Sequence, residues 1–272
     1  MKPEEFQVLA DFLKRQSGIA IQPGKTQSIE SRLMPVARRH GFRDVGAFIA
    51  ELKGGNRFAR SVVEAMTTHE SYFFRDKPSF DQFRQTMLPC LMEARGASKR
   101  LRIWCAGAST GQEPYSLAMV LDGLSERMDG WAVHILATDI DSDVIAHAKA
   151  GLYSQFEILR GLPIQMLARH FARDEDGWRL SKAIRGRVQF TVFNLLDPFD
   201  GFGIFDIVFC RNVLMHFTPD AKRNILKRIH AVLAPDGYLV LGSDETMSEP
   251  SRDFVPLRKA RGAYAKSALP GR

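Results

Sequence analysis

The change of hydrophobic period at Lys99 constrains the fold more than any other feature of the chain. LRIWCAG (101–107) is a short β-rich run that ends in small residues, and QEPYSLAMVLDGL (112–124) after it has helical spacing. WAVHILATD (131–139) reads as a second strand and DSDVIAHAKAGL (141–152) as its helix. VQFTVFNLL (188–196) and FDIVFCRNV (205–213) read as a third and a fourth strand. TPDAKRNILKRIHAVL (218–233) is a helix with Thr218 as N-cap and Pro219 at its first position, and PDG then turns into the strand YLVLGSDE (238–245). A last strand pair is read in DFVPLR (253–258) and AYAKS (263–267). Strands alternating with helices of this length predict an α/β fold with a parallel, doubly wound sheet.

The residues before Lys99 contain no alternating strand. Phe6, Leu9, Phe12 and Leu13 recur at helical spacing between Pro3 and Gly18. Ile29, Leu33 and Val36 continue the pattern, with Pro35 expected to kink or break the helix. Val45, Phe48, Ile49 and Leu52 form a third helix and Phe58, Val62, Val63 and Met66 a fourth. Pro78 opens an amphipathic stretch carrying Phe80, Phe83, Met87, Leu88 and Leu91. The expected division is a helical N-terminal domain at 1–80, a linker helix at 81–98 and the sheet domain at 99–272. Within the sheet domain, a small inserted β-subdomain is expected at about 155–187. A chain of 272 residues has room for one medium and one small domain.

Composition narrows the class. No apolar run approaches the roughly 18 residues needed to cross a bilayer, and MKPEEF offers no basic start for a secretory signal. Cys90, Cys105 and Cys210 are odd in number and form no CxxC pair, which points to a reducing compartment and a cytoplasmic protein. The seven histidines form no HxxxH or Cys/His cluster, so no metal site is expected. Net charge is +7, and residues 1–85 hold 14 Lys/Arg against 10 Asp/Glu. Such an excess suits an acidic partner, although a merely basic soluble protein explains it equally well.

A doubly wound sheet binds its ligand at the carboxyl ends of the strands. The loop after the first strand, Ala106-Gly107-Ala108-Ser109-Thr110-Gly111, has the small residues that let backbone amides approach a ligand. It lacks the G-x-G-x-x-G of a dinucleotide site and the GKS/GKT of a phosphate loop. Glu113 stands instead at the helix opening, where a carboxylate repels phosphate and suits an amino group such as the α-ammonium of S-adenosylmethionine. The plain alternative is a first-turn carboxylate favoured by the helix dipole. The second strand ends at Asp139, placed to accept from ribose hydroxyls, while Asp141 reads as the next helix cap. Asn194 and Leu195 follow the third strand, an amide to pair with an adenine edge and an apolar residue for its face. Arg211-Asn212 ends the fourth.

These stretches resemble the CheR-type chemoreceptor glutamate methyltransferases. The likeness runs through TTHESYFFRD (67–76), IWCAGASTGQEPYS (103–116), ATDID (137–141), VFNLL (192–196), FCRNVLMHF (209–217) and LAPDGYLVLGSDE (233–245). The resemblance implies a Rossmann-like methyltransferase sheet, an all-α front domain, and S-adenosylmethionine as methyl donor with S-adenosylhomocysteine as product. It implies that His69, Ser71, Arg75, Gly107, Glu113, Asp139, Asn194, Leu195, Arg211 and Asn212 contact the cofactor, His69 and Ser71 standing where the family has Asn and Thr. The implied acceptor is a glutamate on the helical cytoplasmic region of a chemoreceptor. A glutamate is already ionised near neutral pH, so its methylation needs no general base, and in-line transfer needs mainly positioning. Arg75 is the expected catalytic residue, orienting the acceptor carboxylate.

The basic second helix, with Arg32, Arg38 and Arg39, is expected to dock the acidic receptor. In some members the insertion grips a receptor pentapeptide through a glycine-rich loop. Arg173-Asp174-Glu175-Asp176-Gly177 is shorter and acidic, so recognition independent of that tether is expected, by a monomer. A nucleic-acid methyltransferase is the chief rival. CRNV replaces the (D/N/S)PP(Y/F) element of its amino-directed forms, and Cys210 lies within a strand rather than after it, so no nucleic-acid partner is expected. A non-catalytic adenosyl-ligand sensor is the second rival, marked by cofactor binding without methyl transfer.

Overall fold

The computed structural model describes residues 1–245, 247, 253–257 and 260–267, and these divide into two compact units. The first comprises residues 1–68 with 194–197 and 215–225. It contains helices α1 (Pro3–Ser17), α2 (Thr26–Arg39), α3 (Val45–Glu51) and α4 (Ala59–Met66). Glu4 and Glu5 lie in the first turn of α1, Lys14 and Arg15 in its last, and Gly18 closes it in the left-handed conformation. Leu9, Phe12, Leu13, Leu33, Phe48 and Val62 are fully buried or nearly so. Helix α2 runs unbroken through Pro35 rather than stopping there, at the cost of one backbone hydrogen bond.

The second unit begins at His69, earlier than the boundary expected at 80. Residues 69–76 bond to the sheet side of the chain: His69 reaches Asp141, and Phe74 N–H donates to Ser116 Oγ at 3.0 Å. Helix α5 (Lys77–Gln82) passes through a π turn at Phe83–Met87 into α6 (Leu88–Ala94). Pro89 has no N–H for the carbonyl four residues back, and at Leu88 the register has slipped to a bond with Phe83 O.

The elements then follow as β1 (Arg100–Ala106), α7 (Gln112–Asp122), β2 (Ala132–Asp139), α8 (Ser142–Ala150), β3 (Leu152–Tyr153), α9 (Gln155–Leu159), α10 (Ile164–His170), β4 (Phe171–Asp174), β5 (Gly177–Leu180), α11 (Lys182–Arg185), β6 (Val188–Val192), β7 (Phe205–Cys210), α12 (Pro219–Val232), β8 (Leu233–Leu241), β9 (Phe254–Pro256) and β10 (Ala263–Lys266). Arg258, the last residue of the expected strand DFVPLR, lies outside the described residues. Seven strands form one sheet in the order β6-β2-β1-β7-β8-β10-β9. The β6–β2, β2–β1, β1–β7 and β7–β8 pairs are parallel, and β10 is antiparallel to both β8 and β9. Every residue of β7 is buried, as a central strand covered on both faces requires.

Pro235-Asp236-Gly237 is not a turn before the last long strand but a bulge within β8, whose pairing jumps from Phe205↔Leu233 to Ile207↔Tyr238. Asp236 there takes a two-point contact from Arg95, which also bonds Asp206 Oδ1 at 2.9 Å and so ties the end of α6 to the sheet. The insertion is a second sheet, β3-β5-β4, which starts at Leu152, slightly before the expected 155. Two residues pair in β3, too short a run for alternation to reveal.

Candidate active site

The strand order reverses between β1 and β7, so the crevice of this sheet opens at their carboxyl ends. The loop after β1 is held against the end of β2: the N–H groups of Gly107 and Ala108 both donate to Thr138 O, at 2.8 and 2.9 Å. Ser109 N–H donates to Asp139 Oδ2 at 2.8 Å, and Asp141 N–H to Asp139 Oδ1 at 3.1 Å. Burial raises the Asp139 carboxyl above its usual range, while those two N–H groups pull it down. Asp141 Oδ1 caps α8 through Asp143 N–H and Val144 N–H, and its Oδ2 lies 2.9 Å from His69 Nε2.

Glu113 sits in the first turn of α7, and Arg211 follows β7 directly. Arg211 Nη1 donates to Glu113 Oε2 at 2.7 Å. Its Nη2 donates to Arg75 O at 2.6 Å and Asp76 Oδ2 at 2.9 Å, and its guanidinium lies 5.5 Å from the Phe80 ring centre. Arg211 is only 5% exposed. Burial pushes the Glu113 carboxyl up, against the pull of the Arg211 charge. Asn212 adopts a left-handed φ of 58°, and its N–H donates to Glu245 Oε2 at 2.6 Å. Glu245 Oε2 also accepts from Gly242 N–H at 2.9 Å, and this acid is 4% exposed.

Arg75 donates from Nη1 to Glu70 O and lies 5.6 Å from the Tyr72 ring centre; Arg160 lies 4.5 Å from the same ring and pairs with the Glu70 carboxylate. That hydrogen bond, with the Arg75 charge, holds Glu70 below the usual carboxylate range. Ser71 is half-buried in this irregular segment. Asn194 and Leu195 belong to the first unit. Asn194 Nδ2 donates to Gln16 O at 2.7 Å and its Oδ1 accepts from Leu196 N–H at 3.0 Å.

Sequence reasoning therefore names Glu113, Arg211, Gly107 and Asp139 at the strand ends, and missed Asp76, Ser109 and Glu245. The signal for Glu245 was present, in the pair of acids just past the end of a core strand in GSDE. Asp76 carries no signal, because its partner Arg211 is remote in sequence.

The site passes a test of fit for an adenosyl ligand with an amino-acid end. A Cβ on Gly107 would come within 2.3 Å of Val213 Cγ2, so only glycine lets the loop after β1 pack this closely on the end of β7. Ser109 Oγ and Arg211 Nε are buried with no hydrogen-bond partner, polar atoms that a ligand can satisfy. The Glu113–Arg211 pair offers opposite charges to a ligand that carries both an ammonium and a carboxylate. Among the described residues no group of three His, Cys, Asp or Glu side chains is placed to hold a metal. No described helix is long and apolar enough to cross a membrane.

Comparison with known proteins shows the family. Residues 69–262 match the family model described as CheR methyltransferase, SAM binding domain, and residues 4–67 match CheR methyltransferase, all-alpha domain. The chain is 41% identical over 251 residues to chemotaxis protein methyltransferase 1 of Pseudomonas aeruginosa, covering 90% of each chain. It is 38% identical over 253 residues to chemotaxis protein methyltransferase Cher2 of Pseudomonas putida, again covering 90% of each. Against the chemotaxis protein methyltransferase of Vibrio anguillarum, identity is 34% over 268 residues, covering 97% of this chain and 96% of that one.

Proposed function

Because the chain belongs to the CheR methyltransferase family, we propose that it transfers a methyl group from S-adenosylmethionine to glutamate side chains of chemoreceptors, forming methyl esters. The observation that carries this reading is the pairing of the buried Arg211 with Glu113 at the switch point of the sheet. S-adenosylmethionine supplies, when bound, an electrophilic sulfonium methyl. Glu113 accepts from its ammonium, Arg211 holds its carboxylate, and Asp139 accepts from its ribose hydroxyls. Gly107 borders it through its backbone, His69 and Ser71 lie beside it, and Asn212 shapes the turn beside Arg211.

The acceptor needs no deprotonation, so the remaining work is alignment and exclusion of water. Arg75, whose guanidinium donates to the Glu70 carbonyl, orients the acceptor oxygen. A tight ion pair would dull that oxygen as a nucleophile, so a half-buried cation resting on the Tyr72 ring is well matched to orientation. Arg38 and Arg39 end α2 and steer the acidic receptor; Arg32 binds the carbonyls of Met66 and Thr67 at 3.4 and 3.2 Å beside them. The two-residue β4–β5 turn has no glycine-rich loop, and receptor recognition proceeds without a pentapeptide tether, by a cytoplasmic monomer.

The test is transfer of labelled methyl to membranes that contain chemoreceptors. Alkali is expected to release the label as methanol, and alkali-stable label would overturn the reading in favour of nitrogen or carbon methylation. Within the same assay, Arg75→Ala is expected to lower kcat/KM on receptor by about 100-fold, by more than any loss of cosubstrate affinity measured separately. Normal kcat/KM in that variant would remove Arg75 from the mechanism.

A further inference from the structure

Two large apolar side chains stand out on the insertion. Phe156 is 74% exposed and Leu159 is 73% exposed, and their spacing of three places them on one face of α9. The helix is short but firmly held. Ser154 Oγ accepts from Glu157 N–H at 3.3 Å, Ser154 N–H donates to Glu157 Oε2 at 2.8 Å, and Ile158 is buried beneath. An exposed phenylalanine on a rigid element costs solubility and adds nothing to the core, so a binding role is the economical explanation.

Cations bracket this face at both ends. Before Phe156, Gln155 Oε1 accepts from Trp178 Nε1 at 2.7 Å and from Arg173 Nη1 at 3.1 Å, and the Arg173 guanidinium lies 5.3 Å from the Trp178 ring centre. After Leu159, Arg160 lies on the Tyr72 ring that Arg75 also approaches. The segment after α9 is in direct contact with the one that carries Arg75: a Cβ on Gly161 would come within 2.2 Å of Phe73 O. Arg173 thus stands beside Gln155 at the start of α9, and Arg160 follows its last residue.

We propose that the Phe156/Leu159 face, with Arg173 and Arg160 at its ends, is the seat on which the acidic acceptor helix lies while one of its glutamates reaches Arg75. This rests on the glutamate-acceptor reading above. The complementary partner is an amphipathic helix with small apolar residues on one face and carboxylates about a turn to either side. Two apolar side chains and two exposed cations give a weak, reversible contact, which suits an enzyme that must release each receptor after one transfer.

The test uses the full chain with Phe156→Ser and Leu159→Ser combined, and a soluble cytoplasmic receptor fragment as substrate. KM for the fragment is expected to rise about tenfold, with kcat, S-adenosylmethionine affinity and Tm unchanged, because neither residue is in the core. Arg173→Glu is expected to raise KM too, and to make it less sensitive to salt. An unchanged KM in the double variant overturns the proposal. So does loss of binding to phosphatidylglycerol vesicles with KM intact, which would assign the face to lipid. A change of oligomeric state with KM intact would assign it to a second copy of the chain and overturn it likewise. If the unaltered enzyme forms no base-labile ester on the fragment, the glutamate reading itself fails and the seat falls with it.

Discussion

Replacing Arg211 with methionine is expected to abolish measurable S-adenosylmethionine binding and to cost about 3–5 kcal/mol of stability. The side chain is buried, and its loss strands two carboxylates, Glu113 at 2.7 Å and Asp76 at 2.9 Å. A buried acid without its cation is far costlier than a neutral pair, because desolvation is then unopposed. Arg211→Met with Glu113→Gln is therefore expected to recover a substantial part of the stability but none of the binding. Denaturant unfolding and isothermal titration separate the two effects. Affinity within a few fold of the unaltered protein in the single variant would sink the role assigned to Arg211.

The same pair sets a pH dependence with opposite signs for folding and for binding. Burial raises the folded-state pKa of Glu113, so its contribution to stability is greatest below the unfolded value and is lost as pH rises through the folded one. An ammonium ligand needs the ionised carboxylate. Cosubstrate affinity should accordingly fall on acidification before an ordinary carboxylate would titrate, while the fold holds. Asp139, also raised by burial, adds to that fall. Glu113→Gln should weaken binding and leave a shallower profile that reports Asp139 alone.

How much of this was legible beforehand differs by residue, and the differences have physical causes. Glu113, Asp139 and Arg211 could be named because a parallel sheet delivers its strand ends to one edge, so position along the sequence is enough. Their pairing could not. The contact between Arg211 and Glu113 depends on β1 and β7 being neighbours, which is a matter of strand order rather than of either segment's composition. Asp76 was invisible for a like reason. Glu245 was legible as a residue but not as a backbone acceptor, since nothing local signals that Asn212 takes a left-handed φ and presents its N–H to a carboxylate. Among the elements, the π turn follows from Pro89 once the helix is known to continue past it, and the two-residue β3 leaves no period to detect. The bulge in β8 looked like a turn because Pro-Asp-Gly is turn chemistry; pairing with β7 on both sides of it overrode that preference.

Gly107 provides the second large effect. Its φ is +81°, and an alanine there pays about 1–2 kcal/mol for the left-handed conformation alone. The new methyl group would also meet Val213 Cγ2 at 2.3 Å, an overlap that something must relieve, for about 1–3 kcal/mol more. The two costs are separable. Val213→Ala removes both γ carbons and leaves its Cβ 3.4 Å from the added methyl, an ordinary contact. Gly107→Ala with Val213→Ala should thus regain the overlap cost and keep the conformational one. Binding should follow the backbone rather than the overlap. The Gly107 N–H is bonded to Thr138 O, and two residues on, Ser109 N–H is bonded to Asp139, so a loop that relaxes φ at 107 moves both anchors beside the ribose position. S-adenosylmethionine affinity is expected to fall by roughly tenfold or more in Gly107→Ala and to stay low in the double variant. If the double variant instead restores both stability and affinity, crowding against Val213 is the whole effect, and the left-handed turn at Gly107 has no part in shaping the site.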